Sequence, residues 1–319
     1  MKRLLERHGW DMALAALLAL LLLATRLIQP NFGASGIEAL ARAALPFAFA
    51  AAGMAVVVIA GGIDLSIASM MAVAGVTAAR LMQGASAGEA GLVLVLVLLI
   101  GVAMGTINGL LIVLTRLPDI VVTLGMLFVW EGTALLILNA PGGAAAPWLR
   151  ALVTGPALPA LTPMIPKALV LLVVCLAAIW IPLRRSRLGL SLYAIGSDAT
   201  AAFRSGVAIG RTRIAAYALA GLFAALGGLS LTASVGIGEP IPGPYLLASV
   251  AAVVLGGVAL TGGRGGLLGP ILAVFILRVI RLDLTLLAID PNVTAILEGT
   301  IMAVVVMLGG LLLMRRRQA

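Results

Sequence analysis

From Leu45 to Ala79 the chain reads LPFAFAAAGMAVVVIA, then Gly61-Gly62-Ile63-Asp64-Leu65-Ser66, then IASMMAVAGVTAA. The flanks are apolar over most of a bilayer's thickness, yet the six residues between them carry a carboxyl group and two glycines. A carboxylate at such a depth is costly unless it caps a helix, faces water or meets a solute. Paired glycines let the backbone turn or pack closely where side chains would obstruct. The stretch therefore predicts two membrane helices joined by an irregular turn.

Composition extends this reading to the whole chain. Of 319 residues, 62% are hydrophobic and only 10% charged, and the mean hydropathy is +1.20. A soluble domain carries about 25% charged residues, so lipid is the solvent for much of this exterior. The single cysteine, Cys175, sits in an apolar run without a disulfide partner and reads as a packing thiol. The net charge of +9 is gathered in Lys2/Arg3/Arg7, in Arg184/Arg185/Arg187 through Arg211/Arg213, and in Arg315–Arg317. These clusters flank apolar spans, as cytoplasmic ends do. With aromatics at only 4%, no stacking platform accompanies them, which argues against nucleic acid as a partner. The apolar stretch Met12–Leu27 follows a basic start but lacks a small-x-small cleavage site before Pro30, so it reads as a first membrane helix rather than a signal peptide.

At about 20 apolar residues per span, ten spans are expected: Asp11–Ile28, Leu45–Gly61, Leu65–Gln83, Gly91–Leu114, Ile120–Asn139, Pro166–Leu183, Arg213–Val235, Leu246–Thr261, Gly266–Leu282 and Val293–Met314. The predicted class is an all-α, polytopic membrane protein with cytoplasmic N- and C-termini, one transmembrane domain over residues 1–319. Asn139–Ile165, with five prolines and Trp148, reads as an ordered surface loop or short re-entrant element. Gly36–Ala44 is expected to lie along the outer interface. Val56–Ser66 and Ala251–Thr261 echo one another, each ending Gly-Gly-x-x-Leu-Ser/Thr; an ancestral repeat and chance among few residue types both remain open.

Between Arg184 and Arg213 lies the longest cytoplasmic connection. Ser197 and Asp198 are N-cap residues, Ala199–Ser205 can form two helical turns, and Gly206 suits a C-terminal stop. Phe203 and Arg204 would project from this short helix, as a docking knob for a soluble partner's groove or as a solvated connector. No phosphate-cradling Gly-x-x-x-x-Gly-Lys-Ser/Thr loop occurs, and Lys2 and Lys167 are the only lysines. The sequence offers no metal-ligand cluster and no nucleophile–base pair. The chain reads as a non-enzyme without a cofactor of its own, any ATP being bound by a partner subunit.

Among polar residues within spans, Asp64 is expected to cap the third helix with Ser66 assisting, the alternative being solute contact. Asn108, Thr123 and Asn139 could bond sugar hydroxyls or neighbouring helices. Glu131, after Trp130, faces water or a basic neighbour. Glu298 and Arg278 fall at similar depths on adjacent spans and are expected to pair.

Gly61-Gly-Ile-Asp-Leu-Ser66 resembles the signature after the second helix of the ribose/xylose/arabinose-type ABC transporter permeases. Gly105-Thr-Ile-Asn-Gly-Leu110, Ile120-Val-Val-Thr-Leu-Gly125, Ala194–Val207, Ala251-Ala-Val-Val-Leu-Gly-Gly257 and Gly262-Gly-Arg-Gly-Gly266 match that family in order and spacing. The resemblance implies a permease subunit of an importer in a bacterial inner (cytoplasmic) membrane, moving a monosaccharide or similar small polar solute. It implies three partners: a cytoplasmic ABC ATPase, a periplasmic solute-binding protein and a second permease subunit, identical or related. Gly196, Asp198, Ala201, Ala202, Phe203, Arg204, Ser205 and Gly206 fall in the family's ATPase-coupling loop. Phe203 stands where the family usually has arginine, with Arg204 one place later. Gly61, Gly62, Asp64, Ser66, Asn108, Thr123, Glu131 and Asn139 are the pathway or gating positions. The rival readings are a branched-chain amino-acid-type ABC permease and a self-sufficient secondary transporter or channel.

Overall fold

The computed structural model describes residues 2–158, 162–241, 243–290, 292–300, 303, 304 and 307. In chain order the helices are α1 (Lys2–Ile28), α2 (Ala34–Ile59), α3 (Ile67–Met82), α4 (Ala87–Thr115), α5 (Asp119–Ile137), α6 (Pro147–Val153), α7 (Lys167–Arg185), α8 (Arg187–Ser197), α9 (Ala199–Arg204), α10 (Ile209–Val235), α11 (Tyr245–Leu255) and α12 (Leu268–Leu286). A two-stranded antiparallel hairpin, β1 (Pro156–Leu158) with β2 (Thr162–Pro166), interrupts an otherwise helical fold.

Among the described residues, six helices are long and apolar enough to cross a membrane: Gly9–Ile28, Ala34–Ile59, Ala87–Thr115, Asp119–Ile137, Lys167–Arg185 and Ile209–Val235. The fold is that of a polytopic, mainly α-helical membrane protein. Several expected spans come out differently. The expected Leu246–Thr261 span is only the eleven residues of α11, about 16 Å at 1.5 Å per residue. That cannot cross a bilayer, and a glycine turn at Gly256-Gly257 ends it. The expected interfacial Gly36–Ala44 is instead the opening of α2, continuous through Pro46 to Ile59. Of the expected Val293–Met314 span, residues 293–300, 303, 304 and 307 are helical and the rest, like Arg315–Arg317, lies outside the described residues.

The core forms around α2, which is buried from Ala44 to Ala60 on every face. A helix apolar all round has to be enclosed by others, and α10, α11, α12 and α7 pack against this one. Where α4 crosses α10, a Cβ on Gly101 would meet the Gly221 carbonyl oxygen at 2.5 Å. Small residues allow this close backbone approach, which drives helix association in lipid where hydrophobicity does not. Cys175 is half-buried on α7.

At one end of the bundle, Gly142 and Gly238 exchange backbone hydrogen bonds of 3.1 and 2.8 Å, and Ala145 N–H donates to the Gly236 carbonyl at 2.9 Å. The expected ordered loop over 139–165 is therefore tied to the exit of α10. It holds α6 and the hairpin, and Glu38 Oε1 accepts from Gly155 N–H at 2.7 Å. The expected Arg278–Glu298 pair is present at 3.5 Å, and Arg281 joins it at 3.2 Å. The Arg278 guanidinium also lies 4.1 Å above the Phe47 ring.

Candidate functional site: the braced turn between α2 and α3

α2 ends because Gly61 adopts φ +84. Gly61 N–H donates to the Val58 carbonyl at 2.9 Å and Gly62 N–H to the Val57 carbonyl at 3.0 Å. These are the paired bonds of a Schellman turn, which a glycine in the left-handed region closes without strain. Four extended or turning residues follow before α3 begins at Ile67.

Asp64 is fully buried here. Its Oδ1 accepts from the Ser66 amide at 2.9 Å and the Ser66 hydroxyl at 2.7 Å. The capping expectation thus needs correction. Ser66 is the N-cap residue of α3 and makes no side-chain cap bond, while Asp64 folds the approach onto that residue. The Ser66 hydroxyl in turn accepts from Asn108 Nδ2 of α4 at 2.7 Å, and Asn108 Oδ1 accepts from Trp130 Nε1 of α5 at 3.2 Å. The donors run one way, from Trp130 through Asn108 and Ser66 to Asp64, so each bond polarises the next. Asp64 Oδ2 has no hydrogen-bond partner among the described residues.

A second brace holds the Ile63 carbonyl. The Tyr217 hydroxyl of α10 lies 3.2 Å from it and 2.9 Å from Asp119 Oδ2 at the start of α5. Thr123 lies 3.4 Å from the same carbonyl and donates to the Asp119 carbonyl at 2.8 Å. Arg213 approaches Asp119 at 3.8 Å. Gly62 is small because this brace leaves no room: a Cβ there would sit 2.5 Å from Asp119 Oδ2 and 2.8 Å from the Tyr217 hydroxyl.

Of the eight positions marked in the sequence for a pathway or gate, Gly62, Asp64, Ser66, Asn108 and Thr123 therefore meet in one buried knot, with Gly61 exposed at its edge. Glu131 and Asn139 lie elsewhere. Glu131 is half-exposed on α5. Asn139 is exposed beyond the end of that helix and lines a cavity of about 340 Å³ with Pro141, Glu239 and Ile241. Sequence reasoning missed Asp119, Tyr217 and Trp130. Asp119 offered a signal as an acid in the first turn of an apolar helix; Tyr217 and Trp130 offered none, since their partners lie far away in sequence.

The knot touches the expected coupling loop. Gly61 Cα lies near Gly196, at the end of α8, and a Cβ on Gly196 would run into the Ile59 carbonyl that closes α2. That same carbonyl accepts from Gly263 N–H at 2.8 Å. Gly196 therefore sits wedged between two glycine turns, with α9 directly beyond it. α8 was absent from the sequence reading, which took residues 184–198 as connection; Ser186 caps it by accepting from Gly189 N–H at 3.1 Å. Tyr193 on α8 donates to the Gly265 carbonyl at 2.7 Å, and burial pushes its phenol up, with Arg184 opposing. α9 forms as expected. Asp198 Oδ1 accepts from Thr200 and Ala201 N–H at 2.8 and 2.9 Å, and Gly206 at φ +83 closes the far end. Ala202 is buried beneath, whereas Phe203 is 70% exposed, with Arg204 and Ser205 also exposed.

The turn recurs where α11 ends. Gly257 N–H donates to the Val254 carbonyl at 3.0 Å and Val258 N–H to the Val253 carbonyl at 3.1 Å, with Gly257 at φ +77. Sequence pairs Gly61 with Gly256; the geometry pairs it with Gly257, one place on. Trp10 of α1 covers this second turn, its Nε1 donating to the Leu255 carbonyl at 2.9 Å.

The chain is similar over 313 residues, at 30% identity, to the autoinducer 2 import system permease protein LsrD of Escherichia coli strain K12 and of Shigella flexneri, covering 94% of this chain and 92% of those proteins. The protein of that name from Escherichia coli O157:H7 is 29% identical over the same length. No solved structure matches. The family model described as branched-chain amino acid transport system / permease component matches residues 36–306. With that match, the apolar helices and the motifs above, the chain belongs to this family of ABC transporter permeases, and is a multi-pass protein of a bacterial inner membrane.

Proposed function

We propose that this chain is the permease subunit of an ABC importer that admits a monosaccharide or similar small polar solute. The observation that carries this reading is the similarity along nearly the whole chain to permeases named for autoinducer 2 import. The residue chemistry agrees with it. The sequence holds no nucleotide-binding loop of its own, as suits a permease driven by a separate ATPase.

The topology we propose has ten membrane-embedded helices in one domain, residues 1–319, with both termini in the cytoplasm. The α9 end of the bundle then faces the cytoplasm, in accord with Arg184, Arg185, Arg187, Arg211 and Arg213 beside it. There α9 is the docking element for the ATPase, presenting Phe203 and Arg204 while Asp198 and Gly206 fix its ends and Ala202 anchors it. Gly196 carries displacement of α9 onto Gly61, so that nucleotide binding in the partner gates the pathway. Gly61, Gly62, Asp64, Ser66, Asn108 and Thr123 are gating residues that hold the turn; Glu131 and Asn139 are the positions proposed to meet solute or water. A second permease chain completes the pathway, and a periplasmic binding protein delivers the cargo.

The test is reconstitution into vesicles with the ATPase and binding protein encoded beside it, followed by uptake of labelled monosaccharides, autoinducer 2 and branched-chain amino acids. Uptake of a sugar-like solute that requires ATP and both partners is the expected result. ATP-independent uptake by the chain alone overturns it in favour of a self-sufficient transporter, and selective leucine uptake in favour of an amino-acid permease.

A further inference from the structure

At the end of the bundle opposite α9, the close of α1, the opening of α2 and the last turns of α12 enclose a cavity of about 540 Å³. Its polar lining is Gln29, Asn31, Ser35, Thr285, Arg278 and Arg281, a set with donors throughout and no carboxylate. Arg278 and Arg281 share one carboxylate, Glu298, which leaves this trio one positive charge in excess. Asp283 on the same helix is not part of the lining. The first turn of α2 faces the cavity at Ser35 and Gly36, and its N-cap, Gly33, supplies no side-chain acceptor, so the helix adds its own partial positive charge.

The arginines lie about 7 and 12 Å below the end of α12 at 1.5 Å per residue, at a depth where long side chains reach upward to the membrane surface. Arg281 remains 46% exposed while engaged by Glu298, so part of its guanidinium fork is open to a further oxygen ligand. The walls below are apolar, with Leu40 and Ala43 among them. Just before the mouth, α1 leaves Leu23 and Leu27 uncovered. A donor-lined, net-positive cavity above an uncovered apolar helix face matches a headgroup phosphate with acyl chains below it.

We propose that this cavity binds the phosphate of an anionic phospholipid, held by Arg281 and Arg278 against the first turn of α2 and fastening α1 to α2 and α12. The site is independent of which solute the permease carries.

The full chain is placed in phosphatidylcholine vesicles containing a minor fraction of phosphatidylglycerol, extracted in mild detergent, and its retained lipid read by native mass spectrometry. Phosphatidylglycerol is expected to be retained over phosphatidylcholine. Arg281→Gln should lower that retention about fivefold, the scale of one basic side chain at a membrane surface. Glu298→Gln, which frees both arginines, should raise it severalfold, and Arg80→Gln on α3 should leave it unchanged. Opposite signs for Arg281→Gln and Glu298→Gln cannot arise from a general loss of folding. Equal retention in all four proteins, no preference between the lipids, or displacement of the lipid by millimolar inorganic phosphate would each overturn the proposal.

Discussion

The turns ending α2 and α11 share one backbone geometry and differ in what surrounds them. Each closes with two Schellman hydrogen bonds around a glycine in the left-handed region. After the first turn comes Asp64, tied through Ser66 and Asn108 to Trp130. After the second come Val258, Ala259 and Leu260, and an indole covers the turn from outside. The glycines therefore serve to end a helix, and the polar residues are a separate addition on one side. Gly196 presses on the first turn and on the later Gly262-Gly263 turn, so the first turn carries a wedge as well as the brace, and the turn ending α11 carries only its indole cover.

The largest effect should come from the wedge between the first turn and the Gly262-Gly263 turn. Gly196→Val puts a branched side chain against the Ile59 carbonyl and Gly263, both backbone, so neither turn can yield. A loss of about 3 kcal/mol or more is expected, read as failure to recover folded protein or a collapsed melting temperature in detergent. A mild effect would mean that the turns are not locked together.

The brace is next. Asp64→Leu orphans the Ser66 hydroxyl and amide in a dry interior and should cost about 2–3 kcal/mol. Asp64→Asn keeps an acceptor for Ser66 and should cost less than about 1.5 kcal/mol. Thermal unfolding of the two variants side by side checks the ordering; equal losses would show that the negative charge, not the hydrogen bonds, is what matters.

The glycines should separate the turns from one another. Gly61→Ala meets only ordinary contact at 3.5 Å, so its cost is the left-handed backbone alone, about 1–2 kcal/mol. Gly257→Ala carries that same cost and also drives a Cβ to 2.7 Å from the Trp10 ring, adding about 1 kcal/mol or more. A double-mutant cycle of Gly257→Ala with Trp10→Ala should recover part of the loss, whereas no such coupling is expected between Gly61→Ala and Trp10→Ala. Smallest of all, Asp198→Ala removes the cap of α9 at a cost of about 1 kcal/mol and should leave both turns intact. Its effect should appear as weaker ATPase co-purification rather than as a lower melting temperature.

Much of this was legible in the sequence because it is local. Asp198, two helical turns and Gly206 specify α9 within nine residues, and Gly61-Gly62 announces the end of an apolar helix. The depth match of Arg278 and Glu298 followed from rise per residue alone. What escaped the sequence depended on distant partners. Tyr217 and Trp130 look like ordinary apolar-helix aromatics until α10 and α5 bring them to the turn. Asn108 reads equally as a sugar ligand or a helix tie, and only burial shows its amide engaged by Ser66 and Trp130. The length of α11 was misread because an apolar run says nothing about where a glycine pair will stop it. The one-residue shift between the echoed segments has the same cause: either glycine of a pair can take the left-handed position.

The central claim is that Asp64 holds the turn and does not handle the cargo. Its most direct test is ATP-driven uptake by Asp64→Asn, reconstituted with the ATPase and binding protein and expressed per folded transporter. The account predicts uptake within about threefold of wild type with a modestly lowered melting temperature, since no transition-state contact to the solute is removed. A fully folded Asp64→Asn protein, unchanged in melting temperature but with uptake reduced about a hundredfold, would contradict it and place the carboxylate on the transport path itself.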